Sequence, residues 1–115
     1  MKIADLKPNR NFDEIVARVI SVEPGRPIRT RQGRKTIVTE ALIGDDSGRV
    51  ILTIFGWGEE RDIFQDMVIR IKDGWVKEWN GNLQVSLGRN GTLEKIEDDG
   101  TVPPLKELLA NWKQA

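Results

Sequence analysis

The sequence predicts an all-β domain, a small barrel or sandwich, on three observations. Six short β-rich runs follow one another, no strand–helix–strand alternation interrupts them, and two turn signals join apolar runs as hairpins do. Those signals are Gly44-Asp45-Asp46-Ser47-Gly48 and Asn80-Gly81. A barrel removes the unpaired edges such strands would otherwise expose. At 115 residues the chain has room for one core.

The elements follow in order. Residues 1–11 read as an extended lead-in, with Pro8 keeping Lys7 out of helix. Phe12 to Glu23 is β-rich with apolar residues on both faces, the pattern of a long strand that bends. Residues 24–35, PGRPIRTRQGRK, break it with two prolines, two glycines and five basic residues, as a loop or hairpin arm. Strands Thr36–Ile43 and Arg49–Phe55 meet across the Asp/Ser/Gly turn. Segment 57–66 is polar and holds one or two helical turns. Met67–Trp79 is a strand with Gly74 as its bulge, and Asn80-Gly81 tolerates the positive φ of a type I′ turn. Asn82–Leu87 returns and Thr92–Ile96 is a last short strand. The expected domain is 1–97, with 98–115 a linker and a short amphipathic C-terminal segment.

Composition excludes most chemistry. The chain has no cysteine, no histidine and no tyrosine, so disulfides, thiolate metal sites and His-activated nucleophiles are gone. Serines stand only at 21, 47 and 86, and the paired Asp45 and Asp46 lack calcium-loop spacing. The expectation is no enzyme, no metal and no cofactor. No apolar run approaches a membrane span and no leader opens the chain, which favours a cytoplasmic, nucleoid-associated protein. Lys plus Arg and Asp plus Glu both number 18, so any useful electrostatics are local.

Binding residues are easier to find. An Asn80-Gly81 turn sets Trp79 opposite Asn82, Lys77 opposite Gln84 and Trp75 opposite Ser86, so these six share one face. Val76, Leu83, Val85 and Leu87 take the core face. Two tryptophans flanking a lysine on a polar sheet face favour a binding platform over surface rings lying on lysine stems. In Arg49–Phe55 the rows are Val50, Leu52, Ile54 and Ile51, Thr53, Phe55; the bland reading buries both, the sharper one puts Phe55 and Ile51 beside the tryptophans. Arg26, Arg29, Arg31, Arg34 and Lys35 fall within ten residues that hold no acid. That run is either a solvated loop or a phosphate rim, and arginine suits phosphate and base stacking better than lysine. Lys77 and Arg89 extend the cationic path. Aromatic platforms beside a basic rim suit single-strand binding, because every base has a π-face and every nucleotide a phosphate.

Several motifs together resemble a known family. Asp5-Leu6-Lys7-Pro8, Gly44-Asp45-Asp46-Ser47-Gly48-Arg49-Val50 running into Leu52-Thr53-Ile54-Phe55-Gly56, Trp75, Trp79-Asn80-Gly81 and the closing stretch from Gly88 to Ile96 are similar to the single-OB-fold single-stranded-DNA-binding proteins of archaea. Their eukaryotic damage-sensor relatives and the OB domains of replication protein A are related. The resemblance implies a five-stranded OB barrel with one short helical segment between its third and fourth strands. It also implies base stacking on Phe55, Trp75 and Trp79, and contacts from Arg26 and Ile28. Phe55 stands where the family has tryptophan and Trp79 where it has phenylalanine. Trp57 has no counterpart and is either a fourth stacker or a ring packed under the loop.

The tail differs from the family's flexible one. Leu105, Leu108, Leu109 and Trp112 recur at helical spacing after Pro103-Pro104, predicting a short helix that must dock. Its own barrel is favoured, with weak self-association or a repair or replication protein as alternatives. The expected function is non-catalytic binding of single-stranded DNA with little sequence preference, in replication or repair. The rivals are an RNA-binding OB module and a protein-assembly subunit using the tail.

Overall fold

The first strand closes the ring because it pairs twice. A computed structural model describes residues 1–112, with the side chains of Glu60, Asn111 and Trp112 outside that description, so the expected part of Trp112 in the tail stripe lies outside the described residues. Strand β1 (Arg10–Val22) pairs antiparallel through Arg10–Arg18 with β5 (Val68–Trp79) and through Arg18–Val22 with β3 (Lys35–Gly44). A register irregularity between Val19 and Ser21 turns the strand from one neighbour to the other. That bend is why apolar residues fall on both of its faces. Strand β4 (Arg49–Phe55) follows β3, pairs parallel with β6 (Asn82–Ser86), and β6 pairs back onto β5. The ring β1-β3-β4-β6-β5-β1 is the five-stranded OB barrel.

Two strands lie outside it. The basic segment contains β2 (Arg26–Arg29), which pairs with β3 and makes the segment a hairpin arm. Strand β7 (Thr92–Ile96) runs along β5. The lead-in is not simply extended: a 3-10 turn at Ile3–Asp5 drops Ile3 and Leu6 into the core. Asp45 holds that turn, its Oδ2 accepting from Ile3 N while Oδ1 accepts from Ser47 N, Ser47 Oγ and Gly48 N. Segment 57–66 holds one 3-10 turn, Glu59–Arg61. The expected bulge at Gly74 is a close approach instead. A Cβ there would meet the Phe12 ring at 2.5 Å, while the left-handed backbone sits next door at Asp73, φ 54°.

The barrel interior is filled by one row from each strand, among them Ile15, Ala41, Ile43, Leu52, Ile69 and Val85. Outside it, the tail packs on β1. Arg18 points away from the interior row yet is buried. Its Nε donates to Pro103 O at 2.8 Å, Nη1 to Asp66 O and Oδ1 at 2.9 Å, and Nη2 to Asp98 Oδ2 at 2.8 Å. Asp98 is correspondingly held below the usual carboxylate range, first by that bond and then by the Gly100 amide. Beyond this anchor comes α1 (Leu105–Trp112), which packs on β1 with Leu108 buried. Arg49 Nη2 donates to Leu108 O at 2.9 Å. Of the described residues expected to meet a partner, Leu108 is therefore occupied by its own barrel, Leu105 is half-buried and Leu109 is exposed.

Candidate nucleic-acid interface

The interface begins with a turn. Asn80 and Gly81 have φ of 51° and 81°, the pair a type I′ turn requires. The register is the one the turn dictates: Trp75 faces Ser86, Lys77 faces Gln84 and Trp79 faces Asn82. Val76 and Val85 on the other side are buried, so the tryptophans point outward. Strand β4 continues the same face through its parallel pairing with β6, and this resolves its two apolar rows. Val50, Leu52 and Ile54 enter the core, whereas Ile51, Thr53 and Phe55 stand on the open side. Phe55 is 61% exposed, Trp79 59% and Trp75 37%.

Two grooves adjoin at Trp79, and Phe55 stands on the first of them. One of about 350 Å³ is lined by Phe55, Lys77, Trp79 and Gln84, with Arg26 and Ile28 entering from β2. Val38, Glu40 and Thr53 also line it. The other, about 510 Å³, shares Trp79 and Gln84 and adds Ile51, Leu42 and Asn82 before ending near Arg49 and Ile3. Lys77 Nζ lies 6.0 Å from the Trp79 ring centroid. Eight of the residues expected from sequence, Arg26, Ile28, Ile51, Phe55, Trp75, Lys77, Trp79 and Gln84, thus share one face.

The rest lie at its margins. Arg29, Arg31, Arg34 and Lys35 are exposed along the hairpin arm, where Arg29 Nη1 donates to Gly33 O. Among the described residues, Arg31, Arg34 and Lys35 have no carboxylate partner. Arg26 does, its Nη2 donating to Glu40 Oε1 at 2.7 Å. Arg89 sits exposed in the turn after β6. Trp57 is 69% exposed, not packed under the loop, and carries the Arg61 guanidinium 5.1 Å above its ring. Sequence reasoning passed over Phe64, 66% exposed, because no turn or alternation in segment 57–66 sets which way its ring points. It also passed over Glu40, whose signal was the single acid between Val38 and Leu42 on an alternating strand.

Among the described residues no cluster of acidic side chains is arranged to hold a metal ion, and no helix is long and apolar enough to cross a membrane.

The architecture recurs in solved structures. The second OB-fold domain of replication protein A from Methanococcus maripaludis superposes with a TM-score of 0.72 at 22% identity, over 86% of this chain and 96% of that one. The OB domain of Ta0387 from Thermoplasma acidophilum gives 0.70 at 21% identity, over 90% of each chain. By sequence, the single-stranded DNA binding protein Ssb of Saccharolobus solfataricus is 33% identical over 100 residues, 86% of this chain and 66% of that protein. The chain thus spans about two thirds of the length of this relative. Residues 6–95 match the family described as single-stranded DNA binding protein Ssb-like, OB fold. With the ring topology and the match over most of its length, the chain belongs to the Ssb-like OB-fold family of single-stranded DNA binding proteins.

Proposed function

We propose that this chain binds single-stranded DNA non-catalytically and with little sequence preference, shielding it in replication or repair. Bases stack on Phe55, Trp75 and Trp79, with Trp57 a fourth position where the strand leaves β4. Phosphates run past Arg26, Lys77 and the arm residues Arg29, Arg31, Arg34 and Lys35, with Arg89 at the far margin. Ile28, Ile51 and Gln84 supply the apolar and amide contacts between rings. The observation that carries the reading is the open sheet face on which three aromatic rings stand exposed over a fully formed core. Stacking on such rings is sequence-tolerant, and a cationic margin adds affinity that salt weakens. The Saccharolobus relative bears the same function in its name. A cytoplasmic, nucleoid-associated setting follows from that ligand.

Tryptophan fluorescence titrated with oligo-dT, oligo-rU and duplex DNA at two salt concentrations tests it. The expected result is quenching by oligo-dT that weakens with salt, and little by duplex. Tighter quenching by oligo-rU would make the ligand RNA. No response to any of the three would leave the rings as anchors for a protein partner.

A further inference from the structure

The groove between Phe55 and Trp79 holds a side chain that stacking and phosphate contacts do not call for. Glu40 lines it, a carboxylate in the path of a polyanion. It is no rim residue: its side chain is 28% exposed and Arg26 holds it. Thr53, its cross-strand partner on β4, lines the same groove and is more than nine-tenths buried. Among the described residues Thr53 Oγ1 has no hydrogen-bond partner. That oxygen is closed off from solvent, so Glu40 is the polar group of the pair that can meet a base edge.

Glu40 selects what lies over it. A phosphate would be repelled by Glu40, so a base edge passes there and the backbone runs along the arm. A carboxylate only accepts, and the cytosine N4 amine donates outward to it with an acceptor, N3, on one side and C5–H on the other, as in the glutamate–cytosine N4 pairing. The N3–H of uracil or thymine lies between two carbonyl oxygens, which an approaching carboxylate meets as repulsion.

Resting on the single-strand reading above, we propose that Glu40 is a base-reading position that favours an amine-bearing base, cytosine above uracil or thymine, at the subsite between Phe55 and Trp79. The remaining subsites stay tolerant, so the preference is a bias at one position along the strand.

The test uses the whole chain with oligo-dC and oligo-dU of equal length, two ligands alike in ring size and differing at the edge in question. Wild type is expected to bind oligo-dC about tenfold tighter. Glu40→Leu brings the ratio close to one. Arg26→Gln breaks the ion pair but keeps the carboxylate, so it weakens both ligands and preserves the ratio. Melting curves verify folding, and if Glu40→Leu does not fold, Glu40→Gln, which keeps the shape and adds a donor for the uracil carbonyls, serves in its place and narrows the ratio. Equal wild-type affinity for the two oligomers, a ratio unchanged in Glu40→Leu, or a ratio that follows Arg26 would overturn the proposal while single-strand binding stands. Absence of binding to either oligomer would overturn both.

Discussion

The barrel has two apolar outer surfaces, and the chain covers only one of them. On the β1 side, Arg18, Ile20 and Val68 point away from the interior, and each is buried. Val68 lies opposite Arg18, and Ile20 lies against Gly44 beside the Arg49 stem. Pro103 and Asp98 hold Arg18, α1 packs on β1, and every nitrogen of the Arg18 guanidinium has an acceptor. On the β4–β6–β5 side, Phe55 and Trp79 stay more than half exposed, and Thr53 Oγ1 is unpaired. The chain has a segment able to cover apolar surface and lays it elsewhere. Among the described residues the open face stays uncovered where the proposed ligand would lie, whereas the closed face serves stability.

Breaking the closed face gives the largest effect. Arg18→Ala removes the donor for two carbonyls and two carboxylates at a buried position, and is expected to cost about 3 kcal/mol in denaturant melts. Both carboxylates are half exposed or more, which keeps the loss at the low end of the buried-pair range. Single-strand affinity should be unchanged under conditions where the variant is folded. A loss of affinity matching the loss of stability would dissolve the contrast between the faces.

Substitution on the open face should do the reverse. Phe55→Ala and Trp79→Ala are each expected to weaken oligo-dT binding by about 1–3 kcal/mol with melting temperature nearly unchanged. Trp75→Ala should weaken binding equally but also lower stability slightly, since that ring is the most covered of the three and its Cβ lies 3.5 Å from the site of a Cβ on Gly88. Unfolding of the Trp79 variant would place that ring in the core and reverse the assignment of faces.

The margin of the open face gives a smaller effect, visible in salt. Replacing Arg29, Arg31 and Arg34 together with glutamine should reduce the slope of log affinity against log salt by about 2, at roughly 0.7 per phosphate contact. An unchanged slope would mean that the arm is solvated and the phosphates pass elsewhere.

The smallest effect is a pH dependence confined to the closed face. Asp98 is depressed below its ordinary value of 3.8 by its bond to Arg18, so the folded chain favours the ionised form. Its contribution is present above the unfolded value and lost as pH falls through the lower folded one. Asp98→Asn should thus melt earlier than wild type at neutral pH, and the gap should close below about pH 4. A gap independent of pH would assign the effect to geometry instead of charge.

The register of the β5–β6 hairpin was legible because one dipeptide, Asn80-Gly81, admits few turns, and a turn of known length determines every pair behind it. The bend in β1 was legible as apolar residues on both faces, and the tail helix as a period of 3.6. The choice between the two rows of β4 was not. Ile51 and Phe55 are as apolar as Val50 and Ile54, and only the barrel's closure decides which row faces inward. Arg18 reads as a solvated charge in a strand, because its acceptors lie 48, 80 and 85 residues away. Ile3 and Leu6 look like a free lead-in until Asp45, some forty positions on, accepts the Ile3 amide.

What the sequence by itself determined is local: turn chemistry, alternation, helical spacing, the family motifs, and the absence of residues for most catalysis. These depend on a few neighbouring residues and survive without tertiary context. Only the tertiary structure decided which apolar surface would be covered. It sent Leu108 to β1, left Phe55 and Trp79 uncovered, and brought Glu40 beside Thr53. The physical reason is that burial is a property of the whole closed ring: a side chain's exposure depends on strands distant in sequence, and no local pattern encodes which of two equally apolar faces they will cover.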